Sequence, residues 1–499
     1  HSNQLVKAGS LLTDGFLSAR ELLESCRQRA EATEPVVNAL VATDWDRAAD
    51  TALALDDDRS LCADGSLRGL VTAHKDLLDT AGVVTTYGSV VFADHVPDVD
   101  HPLVSALRVA GVVAVGKTNT PEFGAGSHTF NPVYGVTRNP WDPSRSAGGS
   151  SGGAACALAC GSLSVADGSD LGGSLRNPAS FCGIVGLRPS AGWIPHRVAS
   201  DPRISMPRTG PMGRCVADVA MLLDAMTDGT ALPDAPEDGP DSPTHRPRIG
   251  LSLDHGDLPV DPEVRSVVEA AAHRLEAAGW RVDAATLPLV GADRCFATLR
   301  SFSYSLMHPG LVDDARVKST VRREIASGLA LTDDEVAAAL TEEQRLRREW
   351  SRLFSSVDIA LTPTSQVPPF PVGDEWVTRI DGVDLDTYTE WMRSCSRLTV
   401  PGGPSLSLPA GFTDDGLPVG IQLSAARGAD LRLLGFARIA EEVLGDDDVE
   451  PLRVLHHPHA RGVDVGVCPL DVLEVPLPHL VERSFPKAVD VGEDIGLAA

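Results

Sequence analysis

An α/β fold is the class this sequence predicts, on three observations. Two short apolar runs with strand character, Leu70 to Ala73 and Val112 to Val115, flank a helical stretch around Val104 to Ala110, an order that favours parallel pairing. A further strand, Ile249 to Leu253, precedes a helix signalled by Asp261 as cap, Pro262 in the first turn and Gly279 as stop. Finally, 499 residues that are 43% hydrophobic can bury a large core.

The elements follow in order. Ser18-Ala19-Arg20-Glu21 is a capping box, and Leu22, Leu23, Cys26 and Ala30 continue it at helical spacing on the outside of the body. Ala154 to Ala159 is small and helix-prone, so Ser151, Gly152 and Gly153 should form a helix N-terminus with free N–H groups. Leu163 to Ala166 reads as a strand leading into a glycine turn, and Cys156 and Cys160 as core packing. Residues 231 to 247 are rich in proline and acid, a surface loop. Val264, Val267, Val268, Ala271 and Leu275 share one face of the Asp261 helix. A second capping box, Thr332 to Glu335, opens a charged helix reaching about Phe354, and Val357 to Leu361 is a strand. Phe370, Trp376, Tyr388 and Trp391 concentrate rings in a chain only 5% aromatic, which suits either a pocket wall or flap packing. Ser405 to Leu408 and the alternating Val419, Ile421 and Leu423 look like a hairpin, and Asp430 precedes a last helix to Leu444.

A formal charge of -26 argues against a nucleic-acid or anionic-membrane surface, because phosphate binding runs on lysine and arginine. The nine cysteines are scattered without CxxC pairs, as in a reducing compartment. His1-Ser2-Asn3-Gln4 opens no basic-then-apolar leader, and no apolar run approaches ~18 residues, so a cytoplasmic protein is expected.

Chemistry concentrates between Ser146 and Pro178, where glycines flank both Ser150 and Ser174. The run Asp170-Leu171-Gly172-Gly173-Ser174 can aim the N–H groups of Leu171, Gly172, Gly173 and Ser174 at the oxygen of a carbonyl attacked by the Ser174 hydroxyl. A hydroxyl needs a base. The nearest histidines in sequence, His128 and His196, have no obvious pairing, whereas Lys75 ends a strand run that could deliver its amine from inside the fold. Burial would keep that amine neutral and able to take a proton, which an arginine could not do. Lys7, Lys75, Lys117, Lys318 and Lys487 are the only lysines, and the structural alternative for Lys75 is an ion pair with Asp76.

Other glycine-rich motifs fit less well. Gly148-Gly149-Ser150-Ser151-Gly152 satisfies GxSxG, but a nucleophile elbow follows a strand and Asn139 to Ala147 is turn-like. A phosphate loop would need GK[ST] after the glycines. A solvated linker conflicts with the apolar elements on either side.

These residues resemble the amidase signature hydrolases. The resemblance rests on Gly148-Gly149-Ser150-Ser151-Gly152-Gly153 and Asp170-Leu171-Gly172-Gly173-Ser174-Leu175-Arg176-Asn177-Pro178, and extends over roughly residues 5 to 445. Gly116 to Phe123, Asn139-Pro140-Trp141, Leu361 to Thr364 and Gly416 to Gln422 also look like family elements. It implies that Lys75 is the base, Ser150 the bridging serine on a cis peptide and Ser174 the nucleophile. It further implies a single α/β domain with a twisted mixed sheet covered by helices on both faces, and it alone places Gly124, Ala125, Gly126, Ser127 and His128 at the acyl pocket.

The expected reaction is hydrolysis of an amide, anilide or carbamate, with no cofactor and no metal. The expected partner is that small molecule, with no nucleic acid and no membrane, and homodimer formation stays open. Two alternatives remain: the glutaminase component of a tRNA-dependent amidotransferase, and an inactive scaffold relative. The domain is expected to span 1–445, followed by an extension, 446–499, whose His456-His457-Pro458-His459 cluster lacks a recognised metal pattern.

Overall fold

The computed structural model describes residues 11–12, 15–62, 67–194, 201, 203–227 and 247–445. Alternation along the strands accounts for its layers, because successive side chains leave opposite faces of a sheet. On the strand Ile359–Pro363, Ile359 and Leu361 enter one apolar cluster and Ala360 enters another. The first cluster includes helices Val216–Met226, Pro262–Ala277 and Asp430–Leu444; the second includes Ala292–Met307 and Asp333–Leu353. The sheet is thus covered by helices on both faces, as the resemblance implies.

Strands β1 (Leu40–Val41), β2 (Val71–Lys75) and β3 (Val113–Thr118) form a small sheet in the order β1-β3-β2. β2 and β3 are parallel and joined through helix Pro102–Val109, the expected strand–helix–strand unit. Two short ribbons pair β4 (Phe130–Asn131) with β5 (Gly135–Val136), and β12 (Arg379–Ile380) with β13 (Val383–Asp384). The main sheet contains β6 (Ala166–Asp170), β7 (Val185–Arg188), β8 (Arg208–Gly213), β9 (Arg248–Leu251), β10 (Arg281–Ala284), β11 (Ile359–Pro363), β14 (Ser405–Phe412) and β15 (Pro418–Ser424). Its order is β10-β9-β11-β15-β14-β7-β8-β6. β9 runs parallel to both its neighbours, β10 and β11, and the other pairings in this sheet are antiparallel, so the sheet is mixed.

Local signals are well obeyed. Both capping boxes form, at helices Ala19–Val37 and Asp333–Leu353, and the Asp261 carboxylate caps Pro262–Ala277. β14 and β15 make the expected hairpin, with a bulge between Pro409 and Gly411. The strand expected at Leu163 to Ala166 instead begins at Ala166. Gly168, Ser169 and Asp170 are poor strand formers, and their antiparallel ladder to β8 decides the element.

The seam between the two sheets positions the site. β6 is an edge strand of the main sheet, and β2 lies against it: the Ser164 N–H donates to Val71 O at 2.9 Å, and the Lys75 N–H donates to Asp167 Oδ1 at 2.9 Å. The eight described cysteines are free thiols. Among the described residues no helix is long and apolar enough to cross a membrane. The extension 446–499, its histidine cluster, His196 and all but Pro247 of the 231–247 loop lie outside the described residues.

Candidate active site

Lys75 is the last residue of β2 and is fully buried. Its Nζ lies 2.7 Å from Ser150 Oγ, 2.9 Å from Ser151 Oγ, 2.9 Å from Ser169 Oγ and 3.4 Å from Ser169 O. All of these partners are uncharged. Burial lowers the lysine pKa from 10.5 to about 7, against the opposing pull of Asp170 and Asp167. The alternative pairing with Asp76 is absent, for that carboxylate accepts from the Thr86 N–H at 3.1 Å and the Thr86 hydroxyl at 2.5 Å. In the sequence Ser151 stands out only for its backbone N–H and Ser169 not at all; the signal available for their hydroxyls is adjacency to Ser150 and Asp170.

Ser150 follows a cis Gly149–Ser150 peptide. The glycine before it is required by close approach, since a Cβ on Gly149 would sit 2.9 Å from His128 N. Contrary to expectation, the N–H groups at the start of the following helix, Gly152–Ala159, are not free. Ser151 donates to Ser174 O at 3.1 Å, Gly152 to Thr129 Oγ1 at 3.1 Å and Gly153 to Asn119 O at 3.2 Å. These amides lock the serine loop to its scaffold instead of facing a ligand.

Asp170 ends β6 and shapes the turn that follows. Its carboxylate accepts from the Gly173 N–H at 2.7 Å and the Leu175 N–H at 3.2 Å, and holds a two-point ion pair with Arg176 at 2.9 Å. Burial pushes the Asp170 pKa up, but the Arg176 and Arg188 charges outweigh it and hold the carboxyl well below the usual range. Gly173 is therefore removed from the four expected oxyanion donors, because its single N–H is already committed to Asp170. The N–H groups of Leu171, Gly172 and Ser174 make no hydrogen bond to the described residues. Gly173 has φ +127, and a Cβ there would meet Cys395 Cβ at 2.6 Å, so the turn needs glycine twice over. Arg176 in turn donates to Gln422 Oε1 at 2.7 Å, and Gln422 Nε2 donates to Thr362 Oγ1 at 3.2 Å across the β11–β15 ladder. The distant Leu361–Thr364 and Gly416–Gln422 segments thus brace this turn.

Ser150 and Ser174 line one cavity of about 740 Å³. Ser174 Oγ makes no hydrogen bond with the described residues, while Ser150 Oγ is held by Lys75. Of the stretch expected to wall the pocket, Gly124 lines this cavity, and a Cβ on it would lie 3.4 Å from Ser150 Oγ. Gly126 borders open space, and Ala125 is buried beside Phe123 and Tyr304. The Ser127 and His128 side chains are engaged behind the serine loop. Ser127 Oγ accepts from Asn177 Nδ2 at 3.2 Å; His128 Nε2 lies 3.1 Å from Val372 O and Nδ1 2.7 Å from Ser146 Oγ. Burial takes the His128 pKa down to about 4, so the ring is neutral, with Nε2 donating and Nδ1 accepting.

The aromatic segment does not wall the serine cavity. Phe370 and Trp391 pack with Phe181 in a separate core, and Trp376 and Tyr388 line another cavity of about 500 Å³. Rings from three other parts of the chain, Tyr87, Phe92, Phe123, Tyr304 and His308, face Ser150 and Ser174 instead.

A buried amine among serine hydroxyls, beside a cavity and a turn with spare amides, is the arrangement that an acyl-transfer site needs. The chain belongs to the Amidase family, whose sequence model matches residues 21–434. An amidase-type activity on a carbon–nitrogen bond follows from that membership. The chain is 34% identical to the A subunit of the glutamyl-tRNA(Gln) amidotransferase from Synechococcus sp. (strain RCC307), covering 86% of this chain and 95% of the relative. A crystal structure of an amidase superposes with a TM-score of 0.80 at 32% identity, over 88% of this chain and all of the other. The structure of a 6-aminohexanoate cyclic dimer hydrolase superposes at 0.79 with 27% identity, over 91% and 99%.

Proposed function

We propose that the chain hydrolyses an amide through an acyl-enzyme on Ser174, with Ser150 and Lys75 as its proton relay. The observation that carries this reading is the Lys75 amine: fully buried, with a pKa near 7 and 2.7 Å from Ser150 Oγ. A neutral amine there accepts the Ser150 proton while Ser150 takes the proton of Ser174. The step requires the Ser174 hydroxyl to reach Ser150 Oγ, with which it shares the wall of one cavity. Ser174 Oγ then bonds to the carbonyl carbon, and the oxygen's developing charge is met by the N–H groups of Leu171, Gly172 and Ser174. Collapse breaks the carbon–nitrogen bond as the relay returns its proton to the departing nitrogen. Water repeats the sequence on the ester, releasing the acid and restoring Ser174.

A fluorophosphonate tests the assignment by covalent capture. Peptide mapping should find the adduct on Ser174, and Ser174→Ala should abolish both labelling and turnover. An adduct on Ser150 would overturn it.

The likeness to glutamyl-tRNA(Gln) amidotransferase subunits favours a second reading, ammonia release from glutamine on behalf of partner proteins. The isolated chain separates the two: turnover of simple amides, anilides or carbamates without partners supports hydrolysis. Glutamine hydrolysis appearing only when partner proteins are added supports the amidotransferase reading.

A further inference from the structure

The wall facing the two serines is built from rings. Tyr87 and Phe92 meet edge to face with centroids 5.2 Å apart, Phe92 and Phe123 do so at 6.1 Å, and His308 lies against Phe123 at 4.6 Å and Tyr304 at 6.1 Å. Their polar atoms are already occupied or uncharged. The Tyr87 hydroxyl donates to Asp79, the Tyr304 hydroxyl donates to Phe123 O at 3.3 Å, and burial lowers the His308 pKa to about 4. Of the two carboxylates at the cavity, Asp170 is held by Arg176, and Asp201 is paired with Arg203 at 2.8 Å. Among its described lining residues the cavity offers no free cation to a carboxylate.

A second observation concerns the backbone. Tyr87 and Phe123 both adopt the left-handed region, at φ 52 and φ 50, where bulky residues are rarely found. The two strained residues are tied together, the Phe123 N–H donating to Tyr87 O at 2.8 Å. Gly124, next in the chain, lies against Ser150. The strained pair therefore sets both the rings and the backbone beside the two serines, as local strain at ligand clamps does.

We infer that this wall is the subsite for an uncharged aromatic group on the amide substrate, with Phe123 as the residue that positions it. The inference rests on the amide-hydrolysis reading above. Ring faces and edges recognise a flat unsaturated group through offset and edge-to-face contacts that a saturated ring of similar size makes less well. An amino-acid amide bearing a free carboxylate gains nothing from this surface and loses hydration on entering it.

The test is kcat/KM on matched substrates: benzamide against cyclohexanecarboxamide for the acyl side, and acetanilide against N-cyclohexylacetamide for the amine side. Because the stacking increment corresponds to about two- to tenfold, the wild-type protein should prefer the aromatic member of at least one pair by a factor in that range. The pair whose preference falls in Phe123→Leu identifies which half of the amide meets the wall, since intrinsic reactivity, including the better aniline leaving group, is the same for both proteins. Phe123→Leu should lose about two- to tenfold more on that aromatic substrate than on its saturated match, through KM more than kcat. Phe92→Leu, at the far side of the ring cluster, should lose selectivity in the same direction and serves if Phe123→Leu does not fold. Equal rates for both members of each pair in the wild type, or equal losses on both members in the variants, would overturn the inference. Fluorophosphonate labelling of Ser174 separates failures: an unlabelled protein discards the hydrolysis reading itself, whereas a labelled protein without aromatic preference discards only this subsite.

Discussion

In the proposed relay, Lys75 would make the reaction pH-dependent, with a sign set by its burial. Its folded pKa, about 7, lies below the ordinary 10.5. The neutral amine needed for proton transfer accumulates as pH rises through about 7, so kcat/KM should climb there and level off above. Stability has the same sign: between about 7 and 10.5 the unfolded chain binds the proton that the folded one has released, so this group's contribution grows with pH and is lost as pH falls to about 7. Lys75→Arg keeps a cation that cannot serve as base, and should cut acylation by at least ~10²-fold while removing the rise near pH 7. Stopped-flow acylation across pH, with circular dichroism to verify folding, checks this. A folded Lys75→Arg protein with wild-type rate and profile would make Lys75 a structural cation.

At the scale of elements, the site depends on how closely backbones approach one another. Helix Gly152–Ala159 begins against the end of β3, where a Cβ on Gly153 would lie 2.3 Å from Asn119 N and 2.7 Å from Ala39 O. Both are backbone atoms and cannot swing aside, so Gly153→Ala should cost about 1–3 kcal/mol or more, as overpacking does. Gly373, with nothing within 4 Å of an added Cβ, is the control, and Gly373→Ala should stay within about 0.5 kcal/mol. Urea unfolding midpoints measure both. Equal shifts would mean that the contact beside the serine loop yields without cost. The glycine run that reads as a substrate-binding feature thus also serves packing, and the Ser151, Gly152 and Gly153 amides that looked free in the sequence are satisfied by Ser174, Thr129 and Asn119.

For the molecule as a whole, both sheets and the helices covering them are complete by Leu444. Helix Asp430–Leu444 buries Leu433, Phe436, Ala437, Ala440 and Leu444 in the main core. Ending the chain after Gly445 should therefore leave a folded protein whose Ser174 still reacts with a fluorophosphonate. Thermal melting and intact-mass labelling test this. A folded truncation that fails to label would show that residues 446–499 complete the site, and failure to fold would show that they complete the core.

That Lys75, Ser150 and Ser174 meet beside the cavity was legible in the linear chain from residue type and local spacing. Lys75, Ser150, Ser174 and the Asp170–Ser174 turn stand in short motifs, and both capping boxes form where Ser18 and Thr332 place them, because a cap is decided within four residues. The α/β class was equally readable from the alternation of apolar runs and helical stretches. Tertiary structure alone decided the rest. Whether an amide is free depends on what the fold brings opposite it, so Gly173 lost its donor to Asp170 and the helix start at Gly152 lost its own. β6 is a strand because β8 pairs with it, despite side chains that disfavour one. The cavity's rings come from Tyr87, Phe92, Phe123, Tyr304 and His308, dispersed along the chain, whereas the rings that cluster in sequence mostly pack elsewhere. A wall assembled from distant segments leaves no local pattern, because what selects each residue is its neighbour in space.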